Sequence, residues 1–224
     1  MEHPILFLDY LDKLLRMEHY PHVTYTWLIM IFLSVLAYVY MKRASIVPNP
    51  VQNVIELVIL GLGNLIKETM GEKGMAFMPL LVAEVFFIFT SNLIGVIPGF
   101  SSPTANLNTN AAMAVVVFFT THYVGVKMHG FKYIKQFIGP VWWLIPLMLP
   151  IELISHLSRP LSLSVRLFGN IQGEDLVLLI LLFLMPYLMP LPIMFLMILT
   201  SALQTFVFVL LTMLYISGAM EEAH

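Results

Sequence analysis

Five apolar stretches, each near or above the length needed to cross a bilayer, dominate this chain of 224 residues and restrict its fold more than any motif does. A hydrocarbon core about 30 Å thick takes roughly 20 helical residues. The stretches cover about 23–41, 77–97, 111–126, 144–184 and 193–217. The expected fold class is therefore all-α: one polytopic membrane-embedded unit over 1–224 with five transmembrane helices. Composition agrees, since 59% of the residues are hydrophobic and only 11% charged, against about 25% charged in soluble domains. Mean hydropathy is +0.89.

Charge in the connections orients the chain. Lys42 and Arg43 follow the first span, and Lys127, Lys132 and Lys135 follow the third, whereas the loop PGFSSPTANLNTN carries no charge. By the positive-inside rule the basic connections are cytoplasmic. The N-terminus is then periplasmic or extracellular and the C-terminus cytoplasmic, in a cell inner (plasma) membrane. The segment 50–70 has an apolar face broken by Glu56, Asn64 and Lys67. That pattern predicts an interfacial cytoplasmic helix. Residues 1–21 start acidic and lack the basic n-region of a signal peptide. With Phe7, Leu8, Leu11, Leu14 and Leu15 able to share a face, they read as a periplasmic amphipathic segment lying among membrane lipids.

The fourth stretch poses a length problem. As one helix, 144–184 would be roughly 60 Å long, about twice the hydrocarbon thickness. It must be broken, strongly tilted or partly outside the core. The prolines of MPYLMPLP mark a turn. The last stretch, with roughly 26 residues and about 39 Å, can stand nearer the membrane normal. A strongly tilted C-terminal helical hairpin of unequal members is expected.

Several functions are excluded. A net charge of −2 leaves no basic footprint for nucleic acid. With no cysteine there is no thiolate nucleophile or Cys-based cluster. No Walker, Rossmann or G-x-S-x-G pattern occurs, so neither a cofactor nor a soluble active site is expected. Glu152 and His156 form an i,i+4 pair, but without HExxH or further ligands no metal site is expected. The 16 methionines are scattered and read as core filling.

Polar residues within the apolar stretches carry the functional signal, because charges at such depth usually face a protein interior or an aqueous cavity. Glu152, Arg159 and Arg166 are spaced by seven, and Asn170 and Glu174 continue the stripe. Arg166 is a permanent cation with Leu163, Leu167 and Phe168 around it. Its partner is Glu152 or Glu174, lipid headgroups, or a carboxylate on another subunit or a passing substrate. Gln204 lies roughly 16 residues after the turn near Leu188 and Arg166 roughly 22 before it, so a straight hairpin would separate them. A tilt of roughly 40° on the longer helix would bring them level. In the second span Glu84 and Asn92 share a face with Ser91 nearby, as in the wall of a wet passage. Glu174 and Asp175 fall toward the outer side, and Glu152, His156, Ser158 and Arg159 toward the cytoplasm.

The run SRPLSLSVRLFGN from Ser158 to Asn170, followed by ALQTFVFVLLTMLYIS, closely resembles subunit a of bacterial F-type ATP synthases. The similarity begins near Met78 with PLLVAEVFFIFTSNLIGVIPG, continues through TANLN and reaches Tyr215. It implies a non-catalytic stator subunit with two offset aqueous half-channels, acting with a c-subunit rotor ring, a b-subunit peripheral stalk and the remaining F1Fo complex. Arg166 matches the family's essential arginine. Asn170 and Gln204 match polar residues close to it, Glu152 the acid of the cytoplasmic end, and Asn92 the asparagine of the outer half-channel. After GN this chain reads IQGED, where members commonly place small residues before Glu or His. Direct counting puts the proton-handling position on Asp175, with Glu174 able to share or replace it. Protons are the expected ion and Glu84 a further station on their path. The competing readings are a sodium-translocating subunit a, a self-sufficient secondary transporter or channel, and a structural scaffold.

Overall fold

The computed structural model describes residues 21–45, 48–97, 99–130, 133, 145–184 and 190–221. Apart from Pro21, the amphipathic segment expected over 1–21 lies outside them, as do Lys132 and Lys135. Six α-helices are described: α1 (Pro21–Arg43), α2 (Pro50–Met70), α3 (Met78–Gly95), α4 (Leu107–His129), α5 (Ile145–Leu184) and α6 (Pro190–Met220). All but α2 are long and apolar enough to cross a membrane.

The termini of these helices follow from local chemistry, and several differ from the hydropathy boundaries. α2 starts on Pro50, whose missing N–H costs nothing in a first turn, and stops where Gly71 takes φ 70°. A 3-10 segment, Glu72–Phe77, then leads into α3. The second span thus begins at 78 and ends at 95, inside the expected 77–97. α4 is longer than the expected 111–126 because the Asn106 side chain accepts the Asn108 N–H at 2.9 Å, capping the helix four residues earlier. It ends at Gly130, with φ 56°.

α5 is a single 40-residue helix. Pro150 and Pro160 lie inside it and each removes one helical hydrogen bond without ending it. α6 has 31 residues, starting at Pro190 and not at 193, because Pro190 and Pro192 both fit the first turn. At about 46 Å it too exceeds the hydrocarbon thickness, though by less than α5 does.

Three apolar layers stack through the bundle. The first joins Val96, Leu178 and Met197 near the α3–α4 loop. The middle one joins Ile88, Val117, Leu163, Leu167 and Phe208. The third joins Leu62, Ile66, Leu81, Val124, Met213 and Ile216, bringing in α2. Loop contacts mark the two ends. His22 Nδ1 lies 3.2 Å from Asn106 Nδ2, and Tyr25 packs edge-on against Phe100. At the opposite end Ser217 Oγ donates to the Thr69 carbonyl at 3.2 Å. We call these the loop end and the α2 end.

α4 packs most extensively on α5. Near the α2 end Gly125 of α4 leaves room for Tyr133, since a Cβ there would run into that ring. Gly125→Val is expected to destabilise the fold by about 1–3 kcal/mol, read as a lower detergent-solubilised melting temperature. Gly61→Ala, where a Cβ meets nothing within 4 Å, should leave it unchanged.

Candidate functional site

The α5–α6 hairpin presents an open face centred on Arg166. Leu163 and Leu167, on either side of it in sequence, are buried in the middle layer, which turns Arg166 outward. Arg166 is exposed and, among the described residues, makes no ion pair. Small residues follow it on the side of the loop end: a Cβ added at Gly169 or Gly173 would meet nothing within 4 Å. Leu161, Val165, Val177, Leu203 and Phe206 are exposed on the same two helices. A polypeptide backbone could therefore approach this face closely beside a permanent cation.

One turn toward the loop end, Asn170 Nδ2 donates to Gln204 Oε1 at 2.6 Å. The two lie in a cavity of about 610 Å³ between α5 and α6, lined also by Gly173, Glu174, Thr200 and Met197. The Thr200 hydroxyl faces Glu174. Asp175, adjacent to Glu174, is not among the cavity's lining residues. Gln204 is thus level with the turn that follows Arg166, and of the two neighbouring acids Glu174 lines the space.

Asn92 is not in that cavity. It belongs to a buried polar group at the loop end, where Thr104 Oγ1 donates to Asn92 Oδ1 at 2.6 Å and shares a 2.6 Å contact with Ser102 Oγ. Ser102 Oγ reaches the Ser91 carbonyl at 2.7 Å, and Asn110 Nδ2 donates to the Thr104 carbonyl at 2.7 Å. Among the described residues Ser91 Oγ, Asn92 Nδ2 and Asn110 Oδ1 are buried without a protein partner. Such groups call for water. Glu84 lies elsewhere again, about two turns toward the α2 end from Asn92. It is buried, faces the Thr212 hydroxyl of α6, and among the described residues leaves Oε2 without a partner. It also borders an apolar cleft of about 710 Å³ between α1, α2 and α3. Glu84 and Asn92 share a helix face, but no single polar cluster joins them.

Toward the α2 end α5 carries a second group. His156 Nε2 lies 3.2 Å from Glu152 Oε1. The His156 ring meets His122 of α4 with centroids 5.3 Å apart. Arg159 turns inward, its guanidinium 5.4 Å from the Tyr215 ring centroid, so the two arginines of one heptad stripe serve different surfaces. A helix drifts about 20° per heptad, and neighbours do the rest. Ser158 Oγ donates to the Ser155 carbonyl at 2.8 Å and is exposed. Burial pushes the Tyr133 hydroxyl above its ordinary range while nearby Arg159 opposes this, keeping a neutral phenol at neutral pH.

Sequence reasoning passed over His122, Thr200, Thr212 and the Ser102–Thr104–Asn110 group. Only the last had a visible signal, in its uncharged polar loop. Among the described residues no group of three or more His, Cys, Asp or Glu side chains could hold a metal ion.

The sequence pattern of the family described as ATP synthase A chain matches residues 23–217. This chain belongs to that family. Relatives include ATP synthase subunit a of Geobacter sulfurreducens, 53% identical, and ATP synthase subunit a 1 of Syntrophotalea carbinolica, 54% identical. ATP synthase subunit a of Trichlorobacter lovleyi is 50% identical; each alignment covers all of this chain and all of the relative. As an A chain it is a non-catalytic membrane subunit of an ATP synthase, and the features above are those of an ion-transport component.

Proposed function

We propose that this A chain conducts protons between the two membrane faces through two offset passages and couples that flow to a rotor of c subunits. The observation carrying this reading is Arg166. It is an exposed, permanently charged guanidinium in the middle of a membrane span, without an ion pair among the described residues, and Gly169 and Gly173 follow it on the same helix. A cation so placed suits a carboxylate that arrives from outside the chain.

On this reading the cavity between α5 and α6 is the passage from the periplasmic or extracellular side. Glu174 receives a proton there, and the Asn170–Gln204 pair holds the water or proton donor at the rotor surface. Protonation neutralises the rotor carboxylate, which then enters lipid without the cost of a bare charge. Ser91 and Asn92 belong to the mouth of this passage, and Asp175 supports Glu174. Glu84, on the same helix face as Asn92, is a further station for the proton that enters from the periplasmic or extracellular side. After nearly a full turn the rotor site meets the cytoplasmic passage, where Glu152 and His156, with Ser158 at its rim, take up the released proton. Arg166 attracts the resulting anion and keeps protons from running directly between the passages. The membrane potential supplies about 2.3 kcal/mol per charge per 100 mV, so several protons drive each ATP. The partners are the c-ring, the b-subunit stalk, the F1 sector and membrane lipids. The N-terminus is periplasmic or extracellular and the C-terminus cytoplasmic, in the inner membrane.

The test is ATP-driven transport by the complete complex in lipid vesicles. Internal acidification at an unchanged rate with and without sodium is the expected result. Strict sodium dependence without acidification would replace the proton by sodium. Ion flux through the isolated chain, at the rate of the complex, would favour a self-sufficient channel instead.

A further inference from the structure

His122 is the least expected member of the cluster near the α2 end, and its ring is fixed from several sides. It stacks on Phe118 with centroids 4.1 Å apart, and its Nδ1 lies 2.9 Å from the Phe118 carbonyl. Tyr133 meets it edge-on at 6.0 Å and 90°. So held, it meets the His156 ring at 5.3 Å and 70°, across the interface between α4 and α5. His156 in turn lies 3.2 Å from Glu152. The charged or titratable groups acting on His156 are Glu152 and Arg159 from its own helix and His122 from α4. Tyr133 lies beside Arg159 and Tyr215 of α6 stacks on it.

A histidine next to a carboxylate shares its proton in a way that depends on ring orientation and on neighbouring charge. Here the orientation comes from a different helix than the carboxylate. We propose that His122 is a positioning residue for the cytoplasmic proton path, holding the His156 imidazole against Glu152 so that α4 governs how Glu152 passes its proton. The inference rests on the reading of Glu152 as a station of that path.

The test uses the assembled complex in inverted membrane vesicles, following ATP-driven acidification over a series of external, cytoplasmic-side pH values. His122→Phe keeps an aromatic ring and removes the nitrogens; His122→Gln restores a donor and an acceptor. His122→Phe is expected to slow pumping about threefold or more and to displace the pH profile by about half a unit, with His122→Gln recovering at least about half the rate. In a Glu152→Gln background His122→Phe should change nothing further, since it acts through Glu152. A wild-type rate and profile for His122→Phe would overturn the inference. So would equal losses in both variants with an unmoved profile, the mark of packing alone. If His122→Phe fails to assemble, His122→Tyr decides: a displaced profile supports the inference and a wild-type rate and profile overturn it. Arg166→Ala runs alongside. Pumping retained there removes the underlying reading, whereas pumping lost there with a silent His122→Phe removes only the role of His122.

Discussion

Arg166→Ala is expected to leave a fully assembled complex that pumps at about 1% of the wild-type rate or less. Placing an arginine at the centre of a span costs about 2.5–3.5 kcal/mol on insertion scales. Within the described residues no carboxylate bridges it to offset that cost. Removing the side chain should therefore not harm the fold of this subunit, because among the described residues no ion pair depends on it. What is lost is the fixed charge that draws in a deprotonated rotor site and separates the two passages. Passive proton leak through vesicles stripped of the F1 sector should rise at the same time. Arg166→Lys keeps the charge but not the planar fork of five donors, and should recover only a small part of the rate. Pumping above half the wild-type rate in Arg166→Ala, with assembly verified, would end the mechanism proposed for this site.

The second large effect separates two adjacent acids. Glu174→Gln is expected to slow pumping about tenfold, equivalent to about 1.4 kcal/mol in the barrier, while Asp175→Asn stays within about twofold. Glu174 lines the cavity that holds Asn170 and Gln204 and faces Thr200, whereas Asp175 does not line it. Initial rates of ATP-driven acidification in matched vesicles decide it. A reversed order, with Asp175→Asn the crippled variant, would move the proton-handling role to the position reached by counting from the family pattern.

The same pair shows how far the chain could be read without its structure. Arg166, Asn170, Gln204 and Glu152 stood out because polar groups are costly in apolar runs, and spacing placed Glu152, Arg166 and Asn170 on one face of the fourth stretch. Helix length raised the question of how Gln204 could reach the Arg166 turn, and the Asn170–Gln204 hydrogen bond shows that the two helices meet one turn from Arg166. Adjacent residues point about 100° apart on a helix, so the choice between Glu174 and Asp175 needed the position of α6. His122 looked like one of seven dispersed histidines. Its meeting with His156 spans two helices that sequence spacing cannot relate. Glu84 and Asn92 seemed to form one polar line along α3. Each in fact faces a different neighbour, Thr212 for one and Thr104 for the other.

The sequence by itself determined the membrane class, the five spans and the length mismatch of the hairpin, because transfer of apolar residues into lipid and the fixed rise of a helix are local properties of the chain. It also determined the family, through the run around Arg166. Only the tertiary structure decided which polar side chains share a cavity, which acid lines it, and which arginine faces out. Those depend on the rotation and lean of each helix against its neighbours, which packing among distant residues sets and no single segment encodes.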